Sequence, residues 1–125
     1  MYRFMGGRVG SRELFLRSEA AFSRALELDH QFHRARFDRG LLYWREMNAP
    51  SRAITDFNAV QDHYPEALFL RGMAYQALGD YHNAIRDLEM FLNVQPHSRW
   101  VGNVLSQLET LYAILDELPP HLPSG

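Results

Sequence analysis

A glycine-rich stretch near the N-terminus is the first candidate for chemistry in this chain. Residues 5–11 read MGGRVGS, with three glycines around an arginine and a serine behind them. Such a loop could cradle a phosphate through its backbone N–H groups. The stretch lacks both the P-loop lysine and the G-x-G-x-x-G spacing of a dinucleotide loop, and no strand-like segment precedes it. We therefore predict that it is not a nucleotide site.

The six histidines raise the alternative of a metal site. His30 and His33 are three residues apart, a spacing that brings two side chains to one side of a helix. The other four stand at predicted helix ends, in turns or in the tail, without a second ligand at useful spacing: His63, His82, His97 and His121. The chain has no cysteine, which excludes disulfides and thiolate ligands. We predict neither a metal ion nor another cofactor.

Acid–base catalysis finds little support in the distribution of ionisable residues. All 13 basic residues are arginine, so a lysine base or Schiff-base lysine is excluded. Asp56 and Asp87 recur at equivalent places in an internal repeat. A catalytic pair has no reason to repeat with the fold, so this recurrence argues for a structural or solvated role. We predict no catalytic residues, and an enzyme is the less favoured hypothesis.

Charge and hydropathy narrow the class of partner. The net charge of −2 argues against nucleic-acid binding. No apolar run approaches the roughly 18 residues of a membrane span, and no signal-peptide region opens the chain, so we expect a cytoplasmic protein without membrane contact. The charge is uneven: residues 1–52 carry ten arginines and six acids, and residues 53–125 three arginines and nine acids. This polarity could favour head-to-tail contacts or an acidic partner, or be unselected.

An internal repeat predicts the fold class. FDRGLLYW (37–44) and FLRGMAYQ (69–76) share F-x-R-G-x-x-Y, and two later segments, 53–65 and 84–96, share A-I-x-D and a final proline. Apolar residues within each unit show the i, i+4, i+7 spacing of an amphipathic helix. Turn sequences at residues 48–51 and 78–81 divide each unit into two helices. We predict an all-α solenoid of antiparallel helix pairs.

These motifs resemble those of the tetratricopeptide repeat (TPR) family, whose pattern is W-x2-L-G-x2-Y, then A-x3-F, then A, then P. The matching residues are Gly40, Tyr43, Ala53, Phe57 and Pro65 in one repeat, and Gly72, Tyr75, Ala84, Leu88 and Pro96 in the next. The sequence departs from the pattern where Arg39 and Arg71 replace its leucine and Phe91 replaces its late alanine. The bulk of Phe91 suggests that the second repeat faces something other than another standard repeat.

The resemblance divides the chain into one TPR domain over residues 1–118 and a tail. We predict about three helix pairs and a capping helix: a degenerate repeat at 1–30, repeats at 31–64 and 65–97, and the capping helix at 98–118. Gly6 lies 34 residues before Gly40, which places MGGRVGS in the first helix of the degenerate repeat, where its sequence departs from the motif. The Pro-rich residues 119–125 are predicted to be a flexible tail.

The resemblance also implies a function without catalysis, in which the first helices line a concave groove for a peptide segment or partner helix. The groove-facing residues that it implies are Arg34, Phe37, Leu41, Trp44, Arg45, Glu66, Phe69, Met73, Gln76 and Trp100. Their aromatic and apolar side chains would supply affinity, and the charges at the edges would set the register of the partner. The expected partner is therefore a protein or a peptide.

Two further expectations concern partners. Some TPR domains of chaperone-binding proteins clamp a C-terminal carboxylate with Lys, Asn and Arg, but the matching positions here hold Arg3, Gly7, Asp38, Glu66 and Leu70. Because only Arg3 suits an anion, we do not expect such a clamp. The alternative function is self-assembly, in which the degenerate first repeat leaves Phe15 and Phe22 to be buried in a homodimer.

Overall fold

A computed structural model describes the backbone of residues 2–116 and the side chains of residues 11–116. Its elements are α1 (Tyr2–Leu28), α2 (His33–Arg45), α3 (Pro50–Val60), α4 (Glu66–Ala77), α5 (Tyr81–Val94) and α6 (Val101–Leu115). No strand occurs over the described backbone. The prediction of an all-α repeat protein is confirmed. The predicted tail at 119–125 lies outside the described residues.

Two helix pairs, α2 with α3 and α4 with α5, follow the predicted repeats. Each pair is joined by a tight turn that contains one residue with positive φ, Asn48 at 48° and Gly79 at 79°. Asparagine and glycine tolerate this left-handed conformation better than other residues do. Pro50 then begins α3, where its missing N–H is not needed. The Asp80 side chain caps α5 by accepting the backbone N–H of Asn83. The turn residues thus explain why each repeat is a hairpin of helices.

The motif glycines set the distance between the paired helices. A Cβ atom placed on Gly40 would lie 2.7 Å from the ring of Phe57, and one on Gly72 would lie 3.0 Å from a methyl of Leu88. Real Cβ atoms do not approach as closely as 2.7 Å, so a larger residue at Gly40 would force the Phe57 ring to move, and one at Gly72 would require Leu88 to shift by a few tenths of an ångström. The two helices of each pair therefore approach each other most closely at the motif glycine, which faces Phe57 in the first pair and Leu88 in the second.

The apolar core consists of two clusters, each shared between a helix pair and the helix that follows it. The first joins α2 and α3 to the start of α4: Phe37, Tyr43, Ala53, Phe57, Val60, Ala67 and Leu70. The second joins α4 and α5 to α6: Leu68, Ala84, Ile85, Leu88, Phe91, Val104, Leu108, Leu111 and Tyr112. Stability therefore comes from stacking neighbouring repeats, as expected for a solenoid.

A bidentate ion pair occupies the interior of each repeat. The Arg39 guanidinium donates to both carboxylate oxygens of Asp56, at 2.7 and 2.8 Å. The Arg71 guanidinium does the same to Asp87, at 2.6 and 2.7 Å, and both residues of this pair are buried. The hydrogen bonds to the carboxylates raise the pKa of each arginine. The arginines that replace the family's leucine thus serve structure, and the recurring aspartates are their partners.

Each of these arginines also donates to the helix before its own repeat. Arg39 reaches Ser23 on α1 at 3.0 Å, and Arg71 reaches Asn58 on α3 at 2.6 Å. Ser23 and Asn58 are 35 residues apart and play the same part. Helix α1 therefore lies against α2 as α3 lies against α4. We call α2, α4 and α6 the A helices and α1, α3 and α5 the B helices.

The assignment of α6 as an A helix rests on a second repeated contact. The Tyr43 hydroxyl donates to Glu19 on α1 at 2.6 Å, and the Tyr112 hydroxyl on α6 donates to Glu89 on α5. The pKa of Tyr43 is raised to about 12, mainly because the hydroxyl is removed from water and secondly because it donates a hydrogen bond to Glu19. Because the same tyrosine–glutamate pair joins α1 to α2 and α5 to α6, the capping helix is a third A helix.

The structure differs from the expected helix pairs at the degenerate repeat. Instead of two helices joined by a turn near residue 11, residues 2–28 form one continuous helix. The position 35 residues before Asn48 is Glu13, so the turn residue with positive φ is missing here. A left-handed conformation costs an ordinary residue about 1–2 kcal/mol. The chain therefore continues as helix where the other repeats reverse direction.

The buried Arg71–Asp87 pair yields a stability prediction. Asp87→Ala leaves the Arg71 charge buried without its partner, so we expect a loss of about 3–5 kcal/mol in unfolding free energy. Replacing both residues, Arg71→Met with Asp87→Leu, should cost much less because no buried charge remains. Urea denaturation followed by circular dichroism measures both, with the exposed Asp62→Ala as control. Equal losses in the single and the double variant would contradict this account.

Candidate functional site

The residues expected to line a groove lie on the A helices, but not all of them face outward. Phe37 is the clear correction, because it is only 7% exposed. Its ring stacks on Tyr64, with centroids 4.6 Å apart, and meets Phe57 at 6.0 Å. Tyr64 lies between α3 and α4 and covers Phe37 from there. Phe37 therefore belongs to the core and is not available to a ligand.

Phe69 and Trp100 form the corresponding contact one repeat later. Their ring centroids lie 5.2 Å apart, and Phe91 lies 5.8 Å from Phe69 and 6.3 Å from Trp100. Phe91, whose bulk departs from the family pattern, thus packs against the residue that precedes α6. Unlike Phe37, both Phe69 and Trp100 remain half-buried. This aromatic cluster is structural on one side and accessible on the other.

A groove of 380 Å³ opens beside this cluster. It lies where the start of α4, the end of α5 and the start of α6 meet, and its lining residues are Pro65, Glu66, Phe91, Gln95, Ser98, Arg99 and Trp100. The Arg99 guanidinium lies 5.8 Å from the Trp100 ring centroid, over its face. An aromatic wall with one acidic and one basic side chain suits the binding of an apolar side chain and its polar backbone. Two predicted residues, Glu66 and Trp100, therefore line a common site.

The predicted residues at the centre of the A helices are partly covered by their neighbours. Leu41 and Trp44 are half-buried against the first core cluster. Gln107 on α6 donates to Gln76 at 2.9 Å and contacts the Met73 sulfur at 3.5 Å. The capping helix thus covers part of the second repeat's face, while Trp44 keeps an accessible edge on the first.

The two predicted arginines lie at the edge of this face. Both Arg34 and Arg45 are exposed. Arg34 donates to Asp38 at 3.1 Å, and this hydrogen bond is the largest of the contributions that raise the pKa of Arg34. An exposed pair of this kind adds little stability, so both arginines are available to fix the register of a charged partner.

A second groove, of 370 Å³, lies between α1 and α2. Its lining residues are Leu14, Phe15, Ser18, Phe22, Asp38, Leu41, Leu42, Arg45 and Glu46. Two of the predicted groove residues, Leu41 and Arg45, line it, together with the two phenylalanines considered for self-assembly. The structure therefore places Leu41 and Arg45 in a different groove from Glu66 and Trp100.

The histidines do not gather into a metal centre in the described part of the chain. His33 stacks on His63, with centroids 3.7 Å apart, and the His30 backbone carbonyl accepts a hydrogen bond from Arg36. Within residues 11–116 no group of three or more His, Asp or Glu side chains is placed to hold a metal ion. Nor does any helix of the described residues combine the length and hydropathy that crossing a membrane requires.

Several residues of the site were missed by sequence reasoning. Neither Tyr64 nor Gln107 occupies a position of the repeat motif, so the sequence did not single them out. In the structure, however, Tyr64 covers Phe37, and Gln107 contacts Met73 and Gln76. A signal for Tyr64 existed, since it directly precedes the repeat-ending Pro65. Gln107 carries no such signal, because its contact depends on the angle at which α6 packs on α4.

Comparison with known proteins agrees with this geometry. Residues 66–98 match the tetratricopeptide repeat family model. Residues 66–98 therefore contain a tetratricopeptide repeat. Among solved structures it is similar to the first TPR of Spaghetti (RPAP3) bound to the HSP90 peptide SRMEEVD, with a TM-score of 0.71 and 19% identity over 92% of this chain and 90% of that one. No curated protein matches it.

The corrected position of Phe37 predicts how the protein responds to substitution. Phe37→Ala should lower the unfolding free energy by about 3–5 kcal/mol, because it removes a buried ring. Arg34→Ala, on the same helix but exposed, should leave it almost unchanged. Thermal and urea unfolding measure both changes. A Phe37→Ala protein as stable as the wild type would show that the ring is not part of the core.

Proposed function

We propose that this TPR protein works by binding rather than catalysis and holds an apolar segment of another protein on its A-helix face. The observation that carries the proposal is that Trp44, Phe69 and Trp100 are large side chains held half-buried by the core, each with one accessible edge. Rigid aromatic anchors of this kind dominate protein–peptide affinity. Their immobilisation by the core lowers the entropy lost on binding.

The groove beside Trp100 is the primary contact in this proposal. Its volume of 380 Å³ is within the usual range for sites that take a small ligand or a few side chains. Pro65 and Trp100, backed by the buried Phe91, would hold an apolar side chain. Glu66 and Arg99 stand at its margin, where they would pair with charges that flank this side chain and so fix the direction of the segment.

Selected peptides give the test of this site. Twelve-residue peptides selected on the immobilised protein from a display library serve as probes, and fluorescence anisotropy measures their affinity for each variant. Trp44→Ala and Trp100→Ala should each weaken binding at least about tenfold, since anchor truncation costs 1.4 kcal/mol or more. Met90→Ala, on the exposed side of α5, is the matched control.

Two results would refute the A-helix face as the site. One is undiminished peptide binding by both tryptophan variants. The other is a loss with Met90→Ala equal to that with Trp44→Ala. Circular dichroism of each variant separates loss of binding from loss of fold, and Glu66→Arg supplies a change at the groove margin that removes no core contact.

The peptide of the related structure is the natural counter-probe. SRMEEVD is bound by the first TPR of Spaghetti (RPAP3). On this chain the residues at three clamp positions are the acidic Asp38 and Glu66 and the buried Leu70. Two carboxylates facing an acidic peptide oppose its binding. We therefore propose a partner different in charge from this peptide.

The corresponding prediction concerns selectivity. Labelled SRMEEVD should show no saturable binding to the wild type at low ionic strength. The double variant Asp38→Asn with Glu66→Gln should bind the peptide more strongly than the wild type, because the substitutions remove like-charge repulsion. A scrambled peptide of the same composition is the control for non-specific attraction. Tight binding of SRMEEVD that is insensitive to this double change would overturn the proposed selectivity.

A further inference from the structure

The groove between α1 and α2 stands where a further A helix would lie. Helix α2 packs against its own B helix, α3, and shares the first core cluster with the next A helix, α4. One repeat earlier, the equivalent surfaces belong to α1 and α2, and these two helices line the 370 Å³ groove. The groove is therefore shaped by the repeat itself to receive a helix.

The apolar lining of this groove follows the same register. Phe22 lies 35 residues before Phe57 and so takes the place of the residue that contacts the motif glycine. Phe57 is fully buried against its A helix, whereas Phe22 is only half-buried. Leu14 in the same groove is 58% exposed. These side chains are arranged for a contact that the described part of the chain does not make.

The occupant needs a glycine where it crosses Phe22, because Gly40 could not accept even a Cβ at the corresponding crossing. Helix α6 fails this requirement, since Glu109 stands three residues before Tyr112, where Gly40 stands before Tyr43. Residues 2–10 satisfy it, since Gly6 lies 34 residues before Gly40. They carry Arg3 and Arg8 without an acidic residue, and the charged residues that line the groove are Asp38, Glu46 and Arg45.

The same chain cannot place residues 2–10 in its own groove. They are part of the continuous helix α1, and the contacts of Glu19 with Tyr43 and of Ser23 with Arg39 fix the direction of that helix along α2. Reversal would need a left-handed residue at Glu13, the counterpart of Asn48 and Gly79. The segment with the right glycine is therefore directed away from the groove that fits it.

We propose that the groove receives residues 2–10 of a second copy of this chain, which forms a domain-swapped homodimer. Two α1 helices then run antiparallel, with Gly6 of each crossing Phe22 of the other, and the twofold axis passes close to residues 13 and 14. The contact is isologous and closes after two copies. It shares Asp38, Leu41 and Arg45 with the A-helix face but none of the residues that line the groove beside Trp100.

Mass in solution is the first test, by light scattering across a concentration series. The wild type should show twice the chain mass of 14.6 kDa. Gly6→Leu should return it to the monomer, because the new side chain meets Phe22 of the second copy. Gly102→Leu is the matched control, since a Cβ there meets nothing within 4 Å. A monomeric wild type, or a dimer unaffected by Gly6→Leu, overturns the proposal.

The turn position gives a second test that adds no bulk. Glu13→Gly should let residues 2–10 fold back onto their own chain and produce a monomer, whereas Glu13→Ala keeps the helix and the dimer. Nitroxide labels on Glu27→Cys, in a chain without other cysteines, should lie about 40 Å apart along the two helices at 1.5 Å per residue from the axis. An identical mass for Glu13→Gly and Glu13→Ala, or a label distance under about 25 Å at this helical rise, overturns the swapped arrangement.

Discussion

The structure depends on an arginine that joins three helices. In each repeat the guanidinium on an A helix binds the aspartate of its own B helix with two hydrogen bonds and reaches a polar residue on the B helix before it. The planar guanidinium fixes the angle between these helices as well as their distance. A leucine at this position would fill the same space without this directionality. Apolar packing supplies most of the stability, and the arginine fixes the geometry of the interface.

Aromatic residues at the junctions perform the second task, which is to stack one repeat on the next. Phe37 with Tyr64, and Phe69 with Trp100, repeat the same contact between an A helix and the residue just ahead of the next one. In the first pair Phe37 is buried, while in the second pair Phe69 and Trp100 remain partly exposed beside the 380 Å³ groove. The candidate site is therefore a structural contact whose outer side is left open at the end of the repeat array.

The two ends of the array differ in what they lack. At the C-terminal end α6 takes the place of an A helix, and Glu109 instead of glycine prevents a B helix from packing as closely there as in the other pairs. At the other end α1 takes the place of a B helix, and its Phe22 keeps the character of a residue that contacts glycine. Helix α6 is thus unsuited to close packing with a further B helix, whereas α1 and α2 present an apolar surface suited to a further A helix.

The sequence by itself determined the all-α class, the two complete repeats and their turns, because these follow from local propensity, helical periodicity and the glycine positions. It also identified Asp56 and Asp87 as recurring residues without revealing their partners. Only the tertiary structure decided that Phe37 is covered by Tyr64, that Gln107 covers Met73 and Gln76, and that Glu66 and Trp100 line one groove while Leu41 and Arg45 line another. Exposure depends on how neighbouring helices pack, which periodicity along one helix cannot report. The continuous helix α1 depends on both. The sequence shows Glu13 at the position of the turn residue, but only the structure shows that its counterparts Asn48 and Gly79 have positive φ and that the turn requires it.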